Sequence, residues 1–104
     1  MSKFTDVKIT VLKKLATGEV FQEFAAGDMT PACDAVQDGR EYISKMGMTM
    51  PEGFCSWAWA DIQRDVAMLS MGGEFPWIKR KGFMISCCTD GLRPVVFKLE
   101  RIIP

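Results

Sequence analysis

Two adjacent thiols, Cys87 and Cys88, run into Thr89-Asp90-Gly91-Leu92-Arg93-Pro94, so two sulfurs, a carboxylate and a guanidinium fall close together in the chain. Two more cysteines, Cys33 and Cys55, stand far upstream, and there is no histidine. The missing imidazole removes the usual general base near neutral pH and the commonest nitrogen ligand for transition metals. It also removes Ser-His-Asp and Cys-His catalysis within one chain. No catalytic residue is assigned. A metal site would have to use sulfur and oxygen. None of the cysteine separations is the short knuckle of zinc ribbons and fingers. A thiolate centre for zinc or an iron–sulfur cluster would therefore need Cys33, Cys55 and Cys88 to meet in space. Cys55 precedes a predicted helix, a position that lowers a thiol pKa. The plainer role for each thiol is packing, because reduced cysteine behaves as a small apolar residue.

Asp90 and Arg93 offer a second kind of chemistry. A guanidinium fork beside a turn can hold a carboxylate or phosphate. The competing reading is an Asx turn at Asp90 with Arg93 on the surface, or a pair between the two. Three tryptophans accompany these groups. Trp59 falls on an apolar helical face and is expected in the core. Trp57, two residues away, points elsewhere and could line a pocket or a subunit interface. Met46-x-Met48-x-Met50 has the softness that suits Cu(I) but reads better as adaptable packing. Lys79-Arg80-Lys81 reads as a solvated turn.

Several elements must position these residues. Val7-Lys8-Ile9-Thr10-Val11 alternates apolar and polar, which predicts a strand with Val7, Ile9 and Val11 facing the core. Residues 19–26 fit a short helix or a strand. Residues 34–38 fit a helical turn, residues 40–44 a short strand and residues 46–53 a loop. The strongest helix runs over about 56–71, with Trp59, Ile62, Val66 and Leu69 on one face, Ser56 as N-cap and Gly72-Gly73 as the stop. Asp61 sits in its first turns, favourably placed for the helix dipole. Residues 83–88 and 95–100 form a C-terminal hairpin joined through Asp90-Gly91. Successive side chains of a strand alternate in face. Phe83, Ile85 and Cys87 are therefore expected in the core, with Met84, Ser86 and Cys88 opposite. A Cys87–Cys88 disulfide would require a distorted peptide, at roughly 1–3 kcal/mol of strain. The expected fold is α+β, a single domain over residues 1–104. It pairs a small, mainly antiparallel sheet or partial barrel with one principal covering helix.

Composition narrows the partners. Thirteen basic and thirteen acidic residues cancel, which makes a poor electrostatic partner for nucleic acid or anionic lipid. No apolar run is long enough to span a membrane. Residues 1–6 show no apolar leader core. The expected location is the cytoplasm, where thiols stay reduced.

Pro51-x-Gly53-Phe54-Cys55-x-Trp57-Ala58-Trp59, Gly72-Gly73-x-Phe75-Pro76-Trp77 and Cys87-Cys88-Thr89-Asp90-Gly91-x-Arg93-Pro94-Val95-Val96-Phe97 resemble a family of small uncharacterised microbial proteins about 100 residues long. The resemblance covers most of residues 51–103 and extends weakly to the first strand and to Cys33. In that family proline commonly follows the first cysteine, whereas Asp34 stands here. The resemblance implies that Cys55, Cys88, Asp90 and Arg93 belong to a recurring motif, and it transfers no activity. The leading functional expectation is a binding or regulatory module whose pocket, lined by Cys55, Trp57, Cys88 and Arg93, takes a small anionic ligand. The alternatives are a thiol-dependent redox or Cys-ligated zinc or iron–sulfur protein, and a subunit that self-associates into a homo-oligomer.

Overall fold

A computed structural model describes residues 4–103. Residues 1–3, on which part of the leader reading rests, and residue 104 lie outside the described residues. The predicted first strand forms as β1, Val7–Lys14, and Val7, Ile9 and Val11 are all buried. It runs beyond the predicted end through an irregularity between Val11 and Lys13. There the unpaired Leu12 is exposed, as expected of a bulge residue. Residues 19–26 resolve in favour of helix, as α1, Glu19–Phe24, which buries none of its residues. Residues 34–36 form a bend and 38–39 a turn, rather than the expected helical turn. Their one apolar anchor, Val36, is buried in the core, and its carbonyl accepts a bond from Lys14 Nζ at 3.2 Å. β2, Glu41–Ser44, follows and passes into a short 3-10 turn, Lys45–Gly47.

The principal helix is α2, Ser56–Ser70. Its N-cap is Cys55, one residue before the expected Ser56, and it makes no side-chain cap bond. The buried face is Ala58, Ile62, Val66 and Leu69, with Ser70 at its end. Trp59 flanks that face half-buried and meets Phe54 edge-on at 6.5 Å between ring centroids. At the far end Gly47 presses against Ser70, where an added Cβ would lie 2.3 Å from the Ser70 Cβ. Arg101 closes that end of α2. Its Nη1 donates to the carbonyls of Leu69 and Gly73 at 3.1 and 2.8 Å, and its Nη2 pairs with Glu74. Glu74 also accepts the Gly82 N–H at 2.9 Å. That bond and the Arg101 guanidinium hold its carboxyl below the usual range.

β3, Phe83–Cys87, and β4, Val95–Arg101, complete an antiparallel sheet of order β2-β1-β4-β3. The fold is α+β, as expected: an open four-stranded sheet under one main helix. The first and last strands occupy its centre. Residues directly opposite in a sheet share a face. Ile9 pairs with Leu99, Val11 with Phe97, Met84 with Leu99 and Ser86 with Phe97. Those pairs define the face that α2 covers.

That register corrects the expected facing of β3. Met84 and Cys88 pack against the core, whereas Ile85 and Cys87 are exposed. Cys87 is therefore not the structural core thiol that alternation from Phe83 and Ile85 predicted. The misleading signal is Ser86, a polar residue on the inward face. Its hydroxyl donates to Asp65 Oδ2 on α2 at 3.0 Å, which supplies the partner a covered polar group requires. The outer face mixes charged residues with Ile43, Phe83 and Ile85. Lys8 lies 3.7 Å from both Glu41 and Glu100, bridging three strands. Among the described residues, no helix is long and apolar enough to cross a membrane.

Candidate functional site

The start of α2, the β3–β4 connection and the irregular 33–36 segment enclose a cleft of about 410 Å3. Each element reaches it for a local reason. Cys55 and Trp57 enter because α2 begins at Ser56 with Cys55 as cap. Cys88 enters because β3 ends at Cys87 with its even-numbered residues turned inward. Cys33 enters because Val36 pins the irregular segment to the core. Val36, Ala58, Val95 and Phe97 make an apolar floor. Trp57 is 85% exposed, so its indole forms rim rather than floor.

The β3–β4 connection is an ordered turn. Asp90 Oδ1 accepts the N–H groups of Leu92 and Arg93 at 2.9 and 3.2 Å, forming the expected Asx-type turn. Asp90 Oδ2 lies 3.4 Å from Arg93 Nε. Burial is the largest influence on Asp90 and acts to raise its pKa. The two N–H donors and the Arg93 guanidinium together outweigh it and hold the carboxyl below its ordinary value. Asp61 of α2 braces the same turn. Its carboxylate accepts the Thr89 N–H at 2.8 Å and shares the Thr89 hydroxyl proton between its two oxygens, each at 3.0 Å.

Arg93 departs from an ordinary ion pair. Its side chain is only 20% exposed, and its Nε is buried without a hydrogen-bond partner. At 3.4 Å the contact with Asp90 Oδ2 is a long ion pair that satisfies that N–H only weakly. An unsatisfied buried donor costs about 1–3 kcal/mol, more when charged. A guanidinium has five donors, and this one lines a cavity.

The thiols divide as follows. Cys33, Cys55 and Cys88 line the cleft, and all four cysteines are free. Among the described residues, no three side chains of the metal-ligating kinds come together to hold a metal ion. The three thiols share a wall without forming the thiolate centre considered from the sequence. Cys88 is tied into the hairpin: its N–H donates to the Val95 carbonyl at 3.0 Å, and its Sγ accepts the Val95 N–H at 3.2 Å. Cys33 Sγ accepts the Ala35 N–H at 3.4 Å. Cys87 points away, its Sγ donating to the Cys88 carbonyl at 3.0 Å. Partial burial, then the neighbouring Cys88 and Asp61, push its thiol pKa up. A vicinal pair primed for redox chemistry would need the opposite.

The cleft thus gathers every residue named from the sequence as a ligand or thiol candidate: Trp57, Asp90, Arg93, Cys33, Cys55 and Cys88. It adds Asp61 and Thr89, which sequence reasoning missed. Their signal was available. Asp61 and Asp65 are one helical turn apart on one face of α2, and Ser86 and Thr89 are hydroxyl partners for them on the hairpin.

The chain matches no known family, no curated protein and no solved structure.

Proposed function

We propose that the protein is a small-molecule binding module whose cleft accepts an organic anion with an apolar body. The observation that carries this reading is Arg93, a side chain only 20% exposed whose buried Nε has just a long ion pair to Asp90, in the lining of a cavity with an apolar floor. The cavity, about 410 Å3, falls in the range typical of ligand sites. A ligand carboxylate would add charge-assisted bonds to the remaining N–H groups of the Arg93 fork, beside its ion pair with Asp90. Phe97, Val95 and Val36 would receive the apolar body, and the exposed Trp57 ring would cover it. Cys55, Trp57, Cys88, Asp90 and Arg93, which the resemblance groups in one motif, all line this cleft, and their convergence supports the reading. The proposed setting is the cytoplasm, where four free thiols remain reduced. There a binding module of this size would serve a regulatory role.

Isothermal titration calorimetry with 3-phenylpropanoate and 4-methylpentanoate tests the reading. The wild type is expected to bind at least one of them. Arg93→Gln is expected to weaken binding about 10-fold or more, since hydrogen bonds to charged groups contribute about 1.5–3 kcal/mol. The Asp90 turn rests on backbone N–H groups, so the variant keeps the loop. The proposal fails if no carboxylate-bearing probe binds, or if Arg93→Gln binds as the wild type does.

A further inference from the structure

The charges around the cleft are unequal. Asp61 and Asp90 face one guanidinium, Arg93. Asp90 is committed to that guanidinium and to the turn N–H groups. Asp61 has no cationic partner among the described residues; only Thr89 bonds to it. Those bonds leave acceptor capacity, because an ionised carboxylate offers about four lone-pair sites. Its Oδ1 takes only a share of one hydroxyl proton. A carboxylate ligand without a positive group would therefore meet an uncompensated negative charge on the cleft wall. A ligand that brings one charge of each sign would meet Asp61 as well as Arg93.

We infer that the ligand is zwitterionic, an α-amino acid with an apolar side chain, its carboxylate on Arg93 and its ammonium on Asp61. The inference rests on the anion reading of Arg93 and adds the second contact. The two anchors lie on one continuous run of contacts. Asp61 bonds Thr89, Thr89 is followed by Asp90, and Asp90 pairs with Arg93. The turn bonds fix that run before any ligand arrives, and such preorganisation lowers the cost of binding. The apolar side chain would lie on Val95 and Phe97. A dianion would be disfavoured by Asp61, and a bare amine would leave Arg93 unsatisfied.

Matched probes separate this inference from the reading beneath it. L-phenylalanine, 3-phenylpropanoate and 2-phenylethylamine differ only in their charged groups. L-leucine, 4-methylpentanoate and 3-methylbutylamine form a second such set. In calorimetric titration of the wild type, the amino acid of at least one set is expected to bind 10-fold or more tightly than both of its partners. Asp61→Asn retains an oxygen for the Thr89 bonds. It is expected to abolish the preference for the amino acid and to leave affinity for the carboxylate equal or higher, because it removes the negative charge that the carboxylate meets. If the carboxylates bind as tightly as the amino acids, the zwitterion inference is overturned and the anion reading stands. A preference that survives Asp61→Asn overturns it as well. If none of the carboxylate-bearing probes binds, both are overturned.

Discussion

Replacing Gly47 by alanine tests how α2 is braced against the sheet, and its cost can be worked from two separable contributions. Gly47 has φ +66°, in the left-handed region. A Cβ there costs about 1–2 kcal/mol for an L residue. The second contribution is contact. The added Cβ would fall 2.3 Å from Ser70 Cβ and 2.4 Å from Ser70 Oγ. Ser70 is fully buried, and its hydroxyl donates to the Ala67 carbonyl at 2.7 Å, so it has little room to yield. Overpacking of this kind costs typically 1–3 kcal/mol. The sum is about 2–5 kcal/mol. Gly53 is the control, with φ +79° and nothing within 4 Å of its would-be Cβ. Gly53→Ala should cost only the backbone share, about 1–2 kcal/mol. Urea unfolding of both variants, with unchanged m values, reads the difference. Equal losses within about 0.5 kcal/mol would mean that the 3-10 turn does not press on α2 and that the helix is seated differently.

Other expectations follow from the same geometry. Cys87→Ala should change stability by no more than about 0.5 kcal/mol, as for an exposed substitution. Cys88→Ala should cost about 1–3 kcal/mol, because it orphans the Val95 N–H beside the core. Denaturant titration showing the reverse order would refute the facing assigned to β3. Alkylation of Cys87 should still be accelerating at pH ~10, where an ordinary thiol of pKa about 8.5 is almost fully ionised, and a plateau below that would contradict its raised pKa. Asp90 is depressed in the folded state. Its stabilising contribution is fully present above the unfolded value of about 3.9 and is lost as pH falls through the lower folded value. Asp90→Asn should therefore flatten the loss of stability on acidification below pH ~5. Parallel pH profiles for wild type and variant would show that the turn carboxylate is not the group responsible.

The legible parts of the fold are those whose periodicity is one-sided. β1 and α2 carry regular apolar spacing, and Val7, Ile9, Ile62, Val66 and Leu69 are buried as that spacing requires. β3 was legible as a strand but not in its facing. Phe83, Ile85 and Cys87 outrank Met84, Ser86 and Cys88 in apolar character, yet β4 fixes the register through Val95, Phe97 and Leu99. A buried serine satisfied by a distant helix carboxylate is invisible to local alternation. The N-cap shifted by one residue for a related reason: Cys55 caps by backbone alone, without the side-chain bond that makes Ser56 the obvious candidate. The site residues were legible because unusual chemistry clusters near Cys88 and Arg93. Their convergence on one cleft with Cys33 and Asp61 depends on long-range packing, which spacing in the chain does not encode.

The central claim concerns one guanidinium, and a spectroscopic measurement reaches it. In a ¹⁵N-labelled sample the Arg93 Nε–H resonance, assigned by its loss in Arg93→Lys, reports on the surroundings of that group. Titration with 3-phenylpropanoate or L-phenylalanine is expected to shift this resonance saturably, together with the Trp57 indole N–H. An Arg93 resonance that stays fixed while either carboxylate-bearing probe binds elsewhere would contradict the account.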